Sequence, residues 1–296
     1  MNASLWTDIA EHISTATGEK FTAGGHHSVG GGCINSAAVI EDNGRSYFVK
    51  LNDAHLLLMF EAEADGLREI ATSNSVRVPQ PVCTGLSGQH VYLVLEHIAF
   101  VPSDDQGPER LGQQLVLMHR TQQKTFGWRR DNTIGSTPQI NTPATDWVAF
   151  WQHQRLEYQL RLAAAQGHRG DIQRKGERLL SDLALLFANY APTPSLLHGD
   201  LWSGNVAYDT LAQPVIYDPA VYYGDREADI AMTELFGGFA PRFYQAYQDA
   251  WPLDPDYSVR KHLYNLYHVL NHLNLFGGSY RAQAEGLMDR LLSEIR

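Results

Sequence analysis

Apolar residues recur with a helical period at Leu5, Ile9 and Ile13, and the stripe stops at Gly18, a residue suited to a helix end. Strand-like runs follow at Phe21 to Val29, Ile34 to Glu41 and Ser46 to Leu51. Asp42-Asn43-Gly44 between the last two predicts a hairpin turn. Helical spacing returns from Ala54 to Ser73, and Pro79 and Pro81 break the chain after it. Val82 to Leu86 and His90 to Leu95 then read as another strand pair across Ser87-Gly88. Residues 1–98 therefore predict a five-stranded antiparallel sheet carrying one main helix.

After Pro102 the period becomes helical. Leu111, Leu115 and Met118 share a face, as do Leu179, Leu183 and Leu186, and Leu263, Leu266, Leu270 and Leu273. A short β island interrupts the helices at Asn205 to Tyr208 and Val215 to Tyr217. The expected fold class is α+β and bilobal: a sheet-rich lobe over residues 1–98 and a mostly helical lobe over 99–296. A crevice between two such lobes is a natural ligand site.

Composition narrows the class. Hydrophobic residues make up 44% and charged residues 19% of 296, an ordinary globular balance. A net charge of −10 disfavours nucleic acid as a partner, since no broad basic surface is available to displace phosphate counterions. No apolar run approaches the roughly 20 residues needed to span a bilayer, and the N-terminus lacks a signal-peptide pattern, so no membrane partner is expected. Two cysteines, Cys33 and Cys83, exclude a disulfide framework and point to the cytoplasm.

The chemistry concentrates in His198-Gly199-Asp200-Leu201-Trp202-Ser203-Gly204-Asn205 and in Asp218 of Ile216-Tyr217-Asp218-Pro219-Ala220. Phosphoryl transfer from a nucleotide needs a carboxylate beside the attacking hydroxyl and oxygen ligands for magnesium. Asp200 is the candidate for the first role, Asn205 and Asp218 for the second, with the intervening β hairpin returning Asp218 to the loop. These residues resemble the catalytic core of the protein-kinase-like superfamily, in the small-molecule-kinase version with Gly where protein kinases carry Arg. The resemblance implies ATP between the lobes and Mg2+ on its phosphates.

Matching parts lie upstream. Gly30, Gly31 and Gly32 sit in a run between two strands where bare amides can approach phosphate oxygens, although the spacing departs from G-x-G-x-x-G. Lys50 reads either as an edge-strand lysine or as a ligand of the α and β phosphates. Phe60, Glu63, Leu67 and Ile70 share one helical face, and an acid on an apolar stripe calls for a partner, which makes Glu63 the candidate for Lys50. The backbone of Glu96, His97 and Ile98, where the lobes join, is expected to meet adenine.

Three further segments narrow the likeness: Asp131 to Gly135, Tyr222 to Met232, and Leu263 to Gly277. With His198 to Asn205 they resemble the fructosamine kinase family over nearly the whole chain. That resemblance implies ATP-dependent phosphorylation of a sugar hydroxyl on ketoamines, either small molecules or glycated proteins, as a deglycation repair. Rival readings are an aminoglycoside- or choline-type phosphotransferase, and an inactive nucleotide-binding module.

Ketoamines of free amines are often cationic, so Asp225 and Glu227 are expected to supply negative charge to the substrate, and Trp202 to cover a sugar face or simply pack. Asp229 is expected to brace the backbone of the catalytic loop, and Arg226 to neutralise its acidic neighbours. His268 and His272 have a zinc-like i, i+4 spacing but no third ligand nearby, which favours a polar seam. Cys33, in the glycine run near the expected phosphates, is a redox candidate.

Overall fold

The computed structural model of the chain describes residues 3–30 and 35–295. Helix α1 (Ala3–Thr17) stops at Gly18, whose φ of 73° is the left-handed conformation that ends a helix. Five strands follow: β1 (Gly25–Val29), β2 (Ser36–Asp42), β3 (Arg45–Asp53), β4 (Pro81–Ser87) and β5 (His90–Glu96). They form one sheet in the order β1-β2-β3-β5-β4, with every pairing antiparallel. Asn43 and Gly44 both take positive φ, 49° and 81°, the geometry of a tight β2–β3 hairpin. The strand expected from Phe21 starts only at Gly25, because Phe21 is buried in the α1 cluster with its amide donated to Ser14 Oγ at 2.9 Å.

The period of two along β5 divides its side chains between two cores. Val94 faces Leu5, Ile9 and Ile13 of α1, whereas Val91, Leu93 and Leu95 face Phe60, Leu67 and Ile70 of α2 (Leu57–Thr72). The second core runs on without a break into the helical part of the chain, as far as Leu291. The change at residues 98/99 is thus one of architecture, with α2 packed into both halves. Gly66 permits this close approach: a Cβ there would lie 3.1 Å from Val221 Cγ2, on the loop that follows Asp218.

Beyond β6 (Phe100–Val101) the chain forms α3 (Gly107–His119), a hairpin of β7 (Asn132–Ile134) and β8 (Thr137–Gln139), and α4 (Trp147–Trp151). A π-helical turn over Gln152–Leu156 leads into α5 (Glu157–Ala165) and α6 (Asp171–Asp182). Next come β9 (Ser195–Leu197), β10 (Val206–Asp209), β11 (Pro214–Ile216) and β12 (Tyr222–Gly224). The chain closes with α7 (Glu227–Leu235), α8 (Pro241–Ala250), α9 (Tyr257–Phe276) and α10 (Arg281–Glu294). The expected β island is present as β10–β11, joined by β6 into a three-stranded sheet. The β9–β12 and β7–β8 pairs were not anticipated; strands of three residues carry too little periodicity to read.

Helix α9 is the axis of the helical part. Leu263, Leu266, Leu270 and Leu273 are all fully buried, and truncating such a leucine to alanine costs about 2–5 kcal/mol. The π-helical turn carries Arg155 inside, where it is fully buried over Tyr222 (4.3 Å) and Phe150 (4.7 Å) and donates to Asn141 Oδ1 at 2.7 Å. Among the described residues, no helix is long and apolar enough to cross a membrane.

Candidate active site

β9 delivers His198, Gly199 and Asp200 from a fully buried strand. The carboxylate of Asp229, at the start of α7, accepts the amides of His198 (2.7 Å) and Gly199 (2.8 Å), and His119 Nε2 stands 3.2 Å away. Burial would raise Asp229, but these donors hold its carboxyl below the usual carboxylate value. Gly199 has φ 82°, and a Cβ there would sit 2.1 Å from the Ala220 carbonyl oxygen, so only glycine fits. Ala220 in turn donates its amide to the His198 carbonyl at 2.8 Å, tying the loop after β11 to the loop after β9.

His198 links the same two loops through its ring. Nε2 lies 3.0 Å from the Tyr217 carbonyl and Nδ1 is 3.2 Å from the Asp200 amide, a pairing that requires a neutral imidazole with the proton on Nε2. Burial pushes His198 below its ordinary pKa, in agreement. The hairpin then closes on itself, with the Tyr217 amide donating to the Asn205 carbonyl at 3.1 Å.

Asn205, at the end of the 3₁₀ turn Ser203–Asn205, uses Nδ2 to hold the Asp200 carbonyl (2.8 Å) and carboxylate (3.3 Å). Its Oδ1 is thereby turned away from Asp200. Burial, followed by the nearby Asp218 charge, pushes Asp200 up to about 7 against the opposing Asn205 bond. Asp218 has φ 60°, a strained position for a residue other than glycine. Its Oδ1 lies 2.6 Å from Lys50 Nζ, and the same ammonium is 2.5 Å from Glu63 Oε1. The Lys50–Glu63 pair expected from the helical stripe is therefore present. Lys50 is 5% exposed, and burial opposes its charge, but Asp218 and Glu63 outweigh that penalty and raise its pKa.

Hard oxygen donors of this kind suit magnesium. Asp218 keeps a half-exposed carboxylate, and Asn205 presents an amide oxygen from the facing turn. Among the described residues there is no cluster of three His, Cys, Asp or Glu.

The remaining expectations fare differently. Gly30 is described, and a Cβ there would meet nothing, while Gly31, Gly32 and Cys33 lie outside the described residues. Glu96 spends its carboxylate on Arg77 (2.6 Å) and its amide on the Gln80 carbonyl (2.8 Å). Arg77 also pairs with Asp209 of β10, so one guanidinium joins the β5 end to the helical half. His97 Nδ1 meets Ser46 Oγ at 2.8 Å, and Ile98 is buried. Trp202 is 37% exposed, its ring over Gly204 and edge-on to Phe236 at 6.3 Å between centroids.

Asp225 and Glu227 overturn their expected role. Neither has any exposed surface. Asp225 accepts from Tyr264 (2.5 Å), Tyr190 (2.9 Å) and the Glu227 amide (3.0 Å), capping the start of α7. Glu227 makes a two-pronged ion pair with Arg260, at 2.8 and 3.0 Å. Burial and the adjacent Asp225 push Glu227 up to about 7, with Arg260 opposing. Both carboxylates are buried and taken up by these partners, so neither faces a substrate. Arg226 stacks on Trp251 at 4.1 Å and donates to the Trp251 and Pro252 carbonyls, and from there its charge favours the ionised form of Glu227, as expected of it. His272 Nδ1 donates to the His268 carbonyl of its own helix (2.8 Å) and its ring packs among aromatic rings, and among the described residues no group of three His, Cys, Asp or Glu stands together.

A lysine bonded to a helix glutamate and to the aspartate of a returning hairpin, facing a braced His-Gly-Asp loop, defines a phosphotransferase of the protein-kinase-like class. The comparisons agree: a family model described as fructosamine kinase matches residues 5–294. The chain belongs to the fructosamine kinase family. It is 48% identical over 292 residues to a probable ketoamine kinase of Synechocystis sp., covering 97% of each chain. It is 46% identical over 272 residues to the chloroplastic protein-ribulosamine 3-kinase of Arabidopsis thaliana, covering 91% of this chain and 83% of that one. A crystal structure assigned as a fructosamine-3-kinase from Haemophilus somnus superposes with a TM-score of 0.89 at 28% identity, over 97% of this chain and 99% of that chain. An aminoglycoside phosphotransferase complexed with ADP and hygromycin B shares the fold, with a TM-score of 0.61 at 17% identity over 97% and 98% of the two chains.

Proposed function

We propose that this protein is an ATP-dependent ketoamine kinase, transferring the γ-phosphoryl group to a sugar hydroxyl of a glycated amine. The observation that carries the reading is the convergence of Lys50, Glu63 and Asp218 beside Asp200, in a chain of this family. ATP enters between the sheet and the helical part, with its base against the backbone of Glu96, His97 and Ile98. Gly30 offers its backbone amide to the phosphates, and Lys50 binds the α and β phosphates. Asn205 and Asp218 would hold Mg2+, which when bound neutralises charge on the phosphates.

Asp200 orients the acceptor hydroxyl and takes its proton as the new O–P bond forms and the bond to the ADP oxygen breaks. Burial is the main cause that raises the Asp200 carboxyl above its ordinary value, and a raised carboxyl is the better proton acceptor once ionised. Asn205 and the His198 ring hold the loop so that the carboxylate stays in place. The residues supply position and charge, and no covalent enzyme intermediate is needed. Trp202 offers an exposed indole face to the sugar beside the reacting hydroxyl.

We assign the cytoplasm as the compartment, where ATP is available and a chain with two cysteines needs no disulfides. The reading is tested by ATP consumption and product phosphate with ribulosamine, erythrulosamine and fructosamine derivatives of lysine, alongside aminoglycosides and choline. Phosphorylation of a ketoamine is the expected result. Turnover of the other alcohols without any ketoamine product decides for the rival phosphotransferase, and nucleotide binding with no transfer decides for an inactive module.

A further inference from the structure

The chain that leaves Asp218 runs through buried surroundings before β12 begins at Tyr222, so the carbonyls of Ala220 and Val221 need donors from outside a strand. The β7–β8 hairpin supplies both. Asn132 Nδ2 reaches the Val221 carbonyl at 2.8 Å, and Gln139 Nε2 reaches the Ala220 carbonyl at 3.0 Å. A carbonyl can only accept, so each side chain must present its NH2 group there and turn its oxygen elsewhere. Those oxygens are used as well. Asn132 Oδ1 accepts from Gln139 Nε2 (2.9 Å) and Asn141 Nδ2 (2.8 Å), and Gln139 Oε1 accepts from the Tyr267 hydroxyl of α9 (2.8 Å). Asn141 Oδ1 takes the buried Arg155 guanidinium at 2.7 Å. All four polar side chains are buried, and a satisfied buried network of this kind is rigid.

The same hairpin is tied to α2. Arg130, two residues before β7, accepts Asn141 Nδ2 on its carbonyl at 3.2 Å. Its guanidinium crosses to α2, donating to Asp65 at 2.9 Å and to the Leu58 carbonyl at 3.3 Å. Gly66, beside Asp65, lies against Val221. The elements that bear Glu63 and Asp218 are therefore held on one support, and their two carboxylates meet on Lys50. Support matters most at Asp218, because a φ of 60° persists only where the surroundings determine it.

We infer that Asn132 and Gln139 are positioning residues for phosphoryl transfer: by gripping the Ala220 and Val221 carbonyls they keep the Asp218 carboxylate on Lys50 and toward the nucleotide phosphates. Neither residue touches a reacting group, and their effect reaches Asp218 through the backbone of residues 219–221. The inference rests on the kinase reading, in which Asp218 would hold Mg2+ on the phosphates.

The test compares wild type with Gln139→Met, which keeps the length of the side chain and removes its donor, and with Asn132→Ala. On the ribulosamine derivative of lysine, kcat falls about 10–100-fold in each, with the KM for the ketoamine within about threefold of wild type. Calorimetry with ADP gives a second readout that does not depend on turnover. The gain in ADP affinity on adding Mg2+ shrinks about tenfold, while affinity without Mg2+ stays within about threefold. Leu291→Ala, in α10 at the far end of the same core, is the control for stability alone: its melting temperature falls, with kcat and the Mg2+ response at wild-type values. If neither hairpin variant folds, Tyr267→Phe keeps the ring, frees the Gln139 amide and lowers kcat about threefold at unchanged KM. A wild-type kcat in the folded variants overturns the inference and leaves the network a purely structural one. An equal loss of kcat in Leu291→Ala overturns it too, because stability would then set the rate. Absence of nucleotide binding and of ketoamine phosphorylation in the unmodified protein is a different failure: it defeats the functional reading and the inference with it.

Discussion

Lys50 Nζ lies 2.6 Å from Asp218 Oδ1, joining the third strand of the sheet to a loop 168 residues further along the chain. The same ammonium reaches Glu63 at 2.5 Å, so one buried cation positions acids from α2 and from the β11 loop. In Lys50→Met, Glu63 is left buried without its partner. Stability should fall by about 3 kcal/mol, and Lys50→Met with Glu63→Gln should recover most of it while ATP turnover stays lost. Urea unfolding and turnover of the single and double variants separate the two effects.

Asp200→Asn preserves shape but removes the proton acceptor. Turnover should fall about 10²–10⁴-fold, with nucleotide affinity changed less than about threefold. Single-turnover kinetics and calorimetric titration with a non-hydrolysable nucleotide measure the two. Turnover near the wild-type value would remove Asp200 from the mechanism.

Gly199→Ala drives a Cβ into the Ala220 carbonyl at 2.1 Å and demands a positive φ of an alanine. The loop must shift, and a displacement of about 1 Å at Asp200 is enough to lower turnover about 10²-fold. Thermal unfolding should show a loss of about 1–3 kcal/mol in the same variant. Wild-type activity in Gly199→Ala would mean that the loop accommodates the methyl without moving Asp200.

Glu227→Gln tests the reassignment of that residue from substrate contact to structural ion pair. Removing one partner of a buried pair should cost about 3–5 kcal/mol, read as a lower unfolding midpoint. The KM for ketoamine should remain at the wild-type value in the folded fraction. A raised KM with unchanged stability would return Glu227 to the substrate site.

Asp229 gives the acid limb of stability a definite sign. Its carboxyl sits below the usual value in the folded state, so its contribution is complete above about pH 5 and is lost as pH falls through the folded pKa. Asp229→Asn should be less stable at neutral pH and should lose less stability than wild type between about pH 5 and pH 2. Unfolding midpoints across that range decide it. Equal acid dependence in both proteins would place the titrating group elsewhere.

Much of this molecule is legible locally. The stripe of Leu5, Ile9 and Ile13, the Asn43-Gly44 turn and the spacing of Phe60, Glu63, Leu67 and Ile70 each encode an element through near neighbours alone. The Lys50–Glu63 contact follows because helical geometry leaves only one acid on the buried face. The His198–Asn205 and Asp218 segments are legible for a different reason: phosphoryl transfer restricts which side chains stand at which spacing. Short strands such as β9 and β12 are not legible, since they are defined by pairing across the fold and not by period.

Residue type and order in this chain determine its helices, its main sheet and the set of groups able to handle a phosphate. Only the tertiary structure decides which charges are free. Asp225 and Glu227 look like surface acids in a row of polar letters, yet Tyr264 and Arg260, brought in from α9, take up both. Asn265 and His268 look like ordinary helix residues, and folding leaves them buried with unused hydrogen-bonding atoms. The reason is that an ionisable side chain carries its chemistry wherever it is, but its partners and its access to water come from distant segments, and these set its energy.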